Sequence, residues 1–220
     1  MYVVHQQHVQ RTSTGAGCQG VQCSGRIKFM AYPSKTDRSA ILAAAAEQLA
    51  AGGLHGMSLR SLAAQLGIAP NALYRYFEDR GALEAALSAE GARSLLAALQ
   101  QAAGELPPDD AVRAMAEAYL RFAREQANLY EVMMMRCKLA PEDAESHLQL
   151  WLFVVGQVSK LAGERWAREA AVSLWAFLRG MAALETAQVF NDEKPFSSFE
   201  FGLNAWLVAA SQKSEPTSTV

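Results

Sequence analysis

Residues 58–83, SLRSLAAQLGIAPNALYRYFEDRGAL, constrain the fold more than any other stretch. A chain this rich in Ala and Leu can extend a helix almost anywhere, yet here the pattern stops at Gly67 and restarts within three residues. Ser58 reads as the N-cap of a short helix over 59–66, and Gly67 as the residue that takes the left-handed turn closing it. Pro70 fits the first turn of the next helix, where a missing N–H costs nothing. Leu73 and Phe77, four apart, mark that helix's buried face. Ala63, Gly67 and Leu73 stand at the spacing of a helix-turn-helix, whose second helix enters the major groove while the first crosses the backbone. The competing reading of the spacing alone is an ordinary helical hairpin.

The flanks extend the helical pattern. A helix from Ser34 or Thr36 to Ala51 places Ile41, Leu42, Ala45 and Leu49 on one face and stops at Gly52-Gly53. Asp79 caps a fourth, longer helix through Leu83, Leu87, Leu95 and Leu99, up to breakers at Gly104 and Pro107-Pro108. Beyond the prolines, helices are expected over 109–126, 128–136, 141–161, 165–189 and 197–210, joined by short connections. The fold class is therefore all-α. Residues 1–33 show neither helical nor strand periodicity, are rich in Gln, Gly, Ser and Thr, and read as a flexible arm. Met30, just before the first helix, reads as a translation start, with a functional basic arm as the alternative. Residues 213–220 read as a polar tail.

Charge divides the chain unevenly. Through Phe77, seven basic residues face only Asp37 and Glu47, a balance of +5, while the whole chain carries −2 and the remainder therefore −7. A basic N-terminal part joined to an acidic remainder points to a polyanion partner for the former alone. A nonspecific architectural DNA-binding protein would need a far more basic chain. Cys18, Cys23 and Cys137 are too few and too dispersed for a disulfide framework, which favours a reducing, cytoplasmic setting, and no run is long and apolar enough to span a membrane. His5, His8, Cys18 and Cys23 match no usual zinc spacing, so no metal or other cofactor is expected. With no Gly-rich phosphate loop, no His-Glu-x-x-His and no nucleophile elbow, the sequence does not read as an enzyme.

The run from Ile41 to Leu87 resembles the DNA-binding domain of the TetR/AcrR family of one-component transcriptional regulators. It is similar to the family pattern of a first helix ending in Gly, then Ser/Thr-x-x-x-Ile/Leu-Ala, Gly-Val, Leu-Tyr-x-His/Tyr-Phe and Lys-x-x-Leu. The resemblance implies an N-terminal three-helix helix-turn-helix domain over 34–80, and a C-terminal helical bundle over 81–212 for ligand binding and dimerisation. It further implies that Ser58 offers its hydroxyl and a helix start to a phosphate, and that Arg60 reaches a base edge or phosphate. Pro70, Asn71 and Ala72 fall at the start of the recognition helix, where an Asn amide can read adenine and an Ala methyl can touch thymine. Tyr74 and Tyr76 would give hydroxyls to phosphates, and Arg80 stands where the family usually has a phosphate-binding Lys. Ala69 departs from the family's frequent Ser or Thr cap, and Asn71 from its frequent small residue.

The stretches from Met115 and from Ser173 are similar to the family's C-terminal domains of the Trp-His-Gly type, with Arg179 in place of that His. Phe122, Tyr130, Met133, Met134, Cys137, Trp151, Phe153, Val154 and Trp175 are the candidates for a pocket suited to a small apolar or aromatic effector. His147 and Glu185 are its candidate polar contacts, although an exposed His and a solvated Glu are the plainer readings. Leu178, Ala182, Phe199, Leu203 and Trp206 are the candidates for a homodimer interface that spaces two recognition helices on a palindromic operator. The expected function is a ligand-responsive regulator, a repressor by family default. An activator or a redox-responsive regulator acting through Cys137 is the alternative on the same scaffold.

Overall fold

The computed structural model describes residues 36–135, 140–189 and 196–214. Among them stand nine helices and no strand: α1 (Arg38–Gly56), α2 (Leu59–Leu66), α3 (Pro70–Leu73), α4 (Arg80–Ala103), α5 (Pro108–Glu125), α6 (Ala127–Met134), α7 (Pro141–Ala162), α8 (Ala167–Thr186) and α9 (Phe196–Ser214). The expected arm over 1–33 with Met30, the four N-terminal His and Cys residues, and all but the first residues of the polar tail lie outside the described residues.

Local chemistry fixes most boundaries. Asp37 caps α1 by accepting from the Ala40 N–H at 2.8 Å, and this bond with one from the Ser39 hydroxyl holds its carboxyl below the usual carboxylate range. Gly53 has φ 61° and ψ −171°, so regular helix stops at the glycine pair and only a last turn continues to Gly56. The Ser58 side chain accepts from the Ser61 N–H at 3.0 Å, and Asp79 accepts from Ala82 at 2.7 Å. Gly67 adopts φ 64°, ψ 33°; its N–H bonds Ala64 and that of Ile68 bonds Ala63, the paired closure of a Schellman motif.

The second helix of the motif is shorter than its sequence period suggests. After Leu73 the backbone tightens, Arg75 and Tyr76 donating three residues back to Ala72 and Leu73. Tertiary contacts take over here: the Tyr76 hydroxyl donates to the Thr36 carbonyl at 2.8 Å, and Phe77 lies buried beneath the Arg38 guanidinium, 5.0 Å from the ring centroid. Helix α8 likewise ends at Thr186 rather than Val189, while α9 runs four residues past the expected Ala210.

Two apolar cores form, and α4 belongs to both. Leu83 and Leu87 join Ile41, Leu49, Met57, Leu62, Leu73 and Phe77 in the first, whereas Leu95 and Leu99 join residues of α5, α7, α8 and α9 in the second. Small side chains along α4 allow close approach: a Cβ at Gly91 would stand 3.3 Å from atoms of both Leu129 and Met133 on α6. Helix α6 in turn sends Val132 into the first core and Met133 into the second, and its Asn128 amide donates to the Ala50 carbonyl at 3.2 Å. A further tie runs from α7, whose buried Asp143 pairs with Arg38 at 3.5 Å.

Candidate nucleic-acid interface and central cavity

The helix-turn-helix presents a polar outer side because its apolar side is consumed by the first core. Ser58, Arg60, Pro70, Asn71 and Tyr74 are exposed, Tyr74 by 53%, and Ala72 is half-buried. Arg60 makes no ion pair with any described residue, which leaves its guanidinium available to an external anion. Arg75, counted in the sequence only as charge, is exposed and equally unpaired beside Tyr74; its position one residue after an exposed aromatic was the signal that could have nominated it.

Two expected phosphate contacts have other partners here. The Tyr76 proton goes to the Thr36 carbonyl, so this phenol ties the start of α1 to the recognition element rather than offering a free donor. The Arg80 guanidinium donates to the Leu54 carbonyl at 2.8 Å and to Glu84 at 2.7 Å, which positions it between the last turn of α1 and the first of α4 with its other N–H groups still outward. Gln48, Ser61, Gln65 and Glu47 form a hydrogen-bonded row that fixes α2 against α1.

A cavity of about 670 Å³ opens between α4, α5, α6, α7 and α8. Met133, Met134, Trp151, Val154 and Trp175 line it as expected from their apolar adaptability. Phe122 and Tyr130 do not: Phe122 is buried in the second core, and Tyr130 packs edge-on against Tyr119 with the two hydroxyls 2.9 Å apart. Phe153 packs against the second core away from the cavity, and Cys137 lies outside the described residues. Unforeseen walls come from Ser88, Leu95 and Leu99 on α4, from Met115 and Tyr119 on α5, and from Leu178 and Arg179 on α8. The α4 residues recur at helical spacing along the fourth helix, the signal that could have nominated them.

The cavity's polar groups are few. His147 lines it with its Nε2 3.1 Å from the Ser88 hydroxyl, and burial lowers its pKa while nearby Asp143 opposes that shift. Burial also pushes the Tyr119 phenol up, so it remains a neutral hydrogen-bonding group. Glu185 pairs with Arg124 at 3.2 Å and takes no part in the lining. No group of three or more His, Cys, Asp or Glu able to hold a metal stands among the described residues, and no helix among them is long and apolar enough to cross a membrane.

Most of the expected dimer residues are already covered within one chain. Leu178, Ala182, Phe199 and Leu203 are buried within a single protomer, Leu178 also lining the cavity, and Trp206 is half-buried with its indole N–H on the Ser173 hydroxyl at 2.8 Å. Both helices are apolar on more than one face, so the sequence does not tell which face turns inward. Exposed apolar and small residues on these helices include Ala176, Gly180, Ala183 and Leu184 on α8 and Phe201 and Val208 on α9.

Known proteins share these features. Residues 41–87 match the family model for bacterial regulatory proteins of the tetR family, and residues 112–205 match the tetracyclin repressor-like C-terminal domain. The chain is 27% identical over 174 residues to the uncharacterized HTH-type transcriptional regulator YobS of Bacillus subtilis, covering 76% of this chain and 88% of that one. A solved structure of a protein of unknown function from Rhodococcus sp. RHA1 superposes with a TM-score of 0.70 at 25% identity, over 82% of this chain and 98% of the other. A TetR variant from Acinetobacter baumannii in complex with minocycline shares the fold at a TM-score of 0.61 and 17% identity, over 82% and 99% of the two chains. With both of its domains matched and its recognition helix exposed, the chain belongs to the TetR family of DNA-binding transcriptional regulators.

Proposed function

We propose that the protein is a ligand-responsive repressor that binds a palindromic operator as a homodimer and leaves it when a small apolar or aromatic effector fills the central cavity. The carrying observation is that one helix serves both ends: Leu83 and Leu87 of α4 seat the helix-turn-helix, while Ser88, Leu95 and Leu99 of the same helix wall the cavity. A ligand that wedges this wall displaces α4, and with it the recognition helix, provided it binds the displaced state more tightly than the operator-bound one. The Asp143–Arg38 pair offers a second route, from the cavity-lining helix α7 to the start of α1. The minocycline held by the related Acinetobacter protein is in keeping with a ligand for this chain.

Dimerisation supplies the geometry for a palindrome, since two recognition helices must lie about 34 Å apart, one turn of DNA. The exposed apolar face of α8 and α9 is the surface for it: small residues admit the partner's helices, and Phe201, 78% exposed, supplies a central anchor.

Selection of binding sites from a random duplex library by the purified protein tests the reading. Enrichment of an inverted repeat whose half-sites are about one helical turn apart supports the operator-binding dimer. Enrichment of unrepeated sequences, or of none, removes it.

A further inference from the structure

The cavity's charge inventory is one-sided. Among the described residues, Arg179 is the only one in the lining with a permanent charge, no described Asp or Glu lines the space, and His147 is held toward its neutral form. Arg179 makes no ion pair with any described residue. Its guanidinium rests 5.9 Å from the Trp175 ring one turn earlier on α8, and its charge also reaches the Tyr119 hydroxyl. A stacked guanidinium is oriented without being neutralised, so its N–H fork remains available to a planar acceptor.

These observations select among head groups. An ammonium would meet a like charge with no carboxylate among the described lining residues to offset it, and a purely apolar molecule would offer the Arg179 fork no acceptor. A carboxylate accepts two parallel charge-assisted hydrogen bonds from the same fork. The remaining walls, Met133, Met134, Trp151 and Val154 among them, demand an apolar body. We infer that the effector is an apolar organic anion, a carboxylate on a hydrocarbon or aromatic body, whose head group is received by Arg179. This assignment rests on the cavity being the effector site.

Decanoate, 1-decanol and decylamine form a matched probe set, and the fluorescence of Trp151 and Trp175 in the cavity wall reports their binding to the full chain. Wild type binds decanoate about tenfold or more tightly than decanol, and decylamine most weakly. Arg179→Gln brings the ratio of decanoate to decanol affinity close to one, and Arg179→Lys retains most of the preference for decanoate. Equal affinity of wild type for acid and alcohol, or a variant that loses both alike, overturns the head-group assignment but leaves the effector site standing. Failure of all three probes to bind overturns both. Should Arg179→Gln not fold, the wild-type ranking with Arg179→Lys still decides.

Discussion

Tyr74 and Tyr76 stand two residues apart in different surroundings. Tyr74 is exposed, whereas Tyr76 gives its hydroxyl proton to the Thr36 carbonyl. Tyr76→Phe therefore lowers unfolding stability by about 1 kcal/mol, while Tyr74→Phe leaves it within about 0.5 kcal/mol and weakens operator binding several-fold; urea melts and DNA titrations separate the two. His147 carries a pH dependence whose sign follows from burial. Its pKa is lowered in the folded protein from the ordinary 6.5, so as pH falls the unfolded chain takes up that proton first. The stability it contributes is full above the ordinary value and is lost as pH drops from there toward the folded value. The expected result is a thermal midpoint that falls more steeply on acidification below about pH 6.5 in wild type than in His147→Gln. Residue roles set by their immediate neighbours in sequence were legible: Ser58, Gly67 and Asp79 do in the structure what their types and positions predict. Roles set by distant partners, such as Tyr76 with Thr36 or Arg38 with Asp143, were not, because nothing in the local pattern encodes a contact 40 or 105 residues away.

Among the elements, α4 sets the relation between the two cores, and Gly91 is where α6 comes closest to it. A Cβ there would meet Leu129 and Met133 at 3.3 Å, and a branched side chain has nowhere to turn. Gly91→Val is expected to cost about 1–3 kcal/mol in denaturant unfolding, through overpacking. Gly56, with nothing within 4 Å of its added Cβ, is the control: Gly56→Ala changes stability little. Helix positions were readable from periodicity and caps to within a few residues nearly throughout, since both are local signals. The end of α3 was the exception, where the reach of Tyr76 and Phe77 to α1 overrode the helical pattern. The inward faces of α8 and α9 were a different difficulty: both faces are apolar, so Leu178, Ala182, Phe199 and Leu203 could not be told from the outer Leu184, Phe201 and Val208 without the fold.

At the scale of the whole molecule, the proposed function requires two copies, a DNA-reading end and a cavity that communicates with it. Phe201→Asp places a charge at the centre of the proposed dimer face, outside either core, and is expected to yield folded monomers by sedimentation while reducing operator affinity by about a hundredfold or more. The all-helical architecture and the DNA-reading end were legible because the helix-turn-helix is written in contiguous residues. The cavity was only half legible, since Met133, Met134, Trp151, Val154 and Trp175 belong to it but its α4 wall and Arg179 emerge only when five helices converge. In the proposed function the exposed, unpaired cations and Tyr74 of this motif hold a specific operator. Fluorescence anisotropy of the protein on its own upstream DNA and on an unrelated duplex, across a salt series, for wild type and for folded Arg60→Ala, tests it most directly. The account predicts sequence-selective binding whose affinity falls linearly in log–log form with salt, and a variant that binds more weakly with a shallower slope. Equal affinity for both duplexes and a slope unchanged by Arg60→Ala would contradict it.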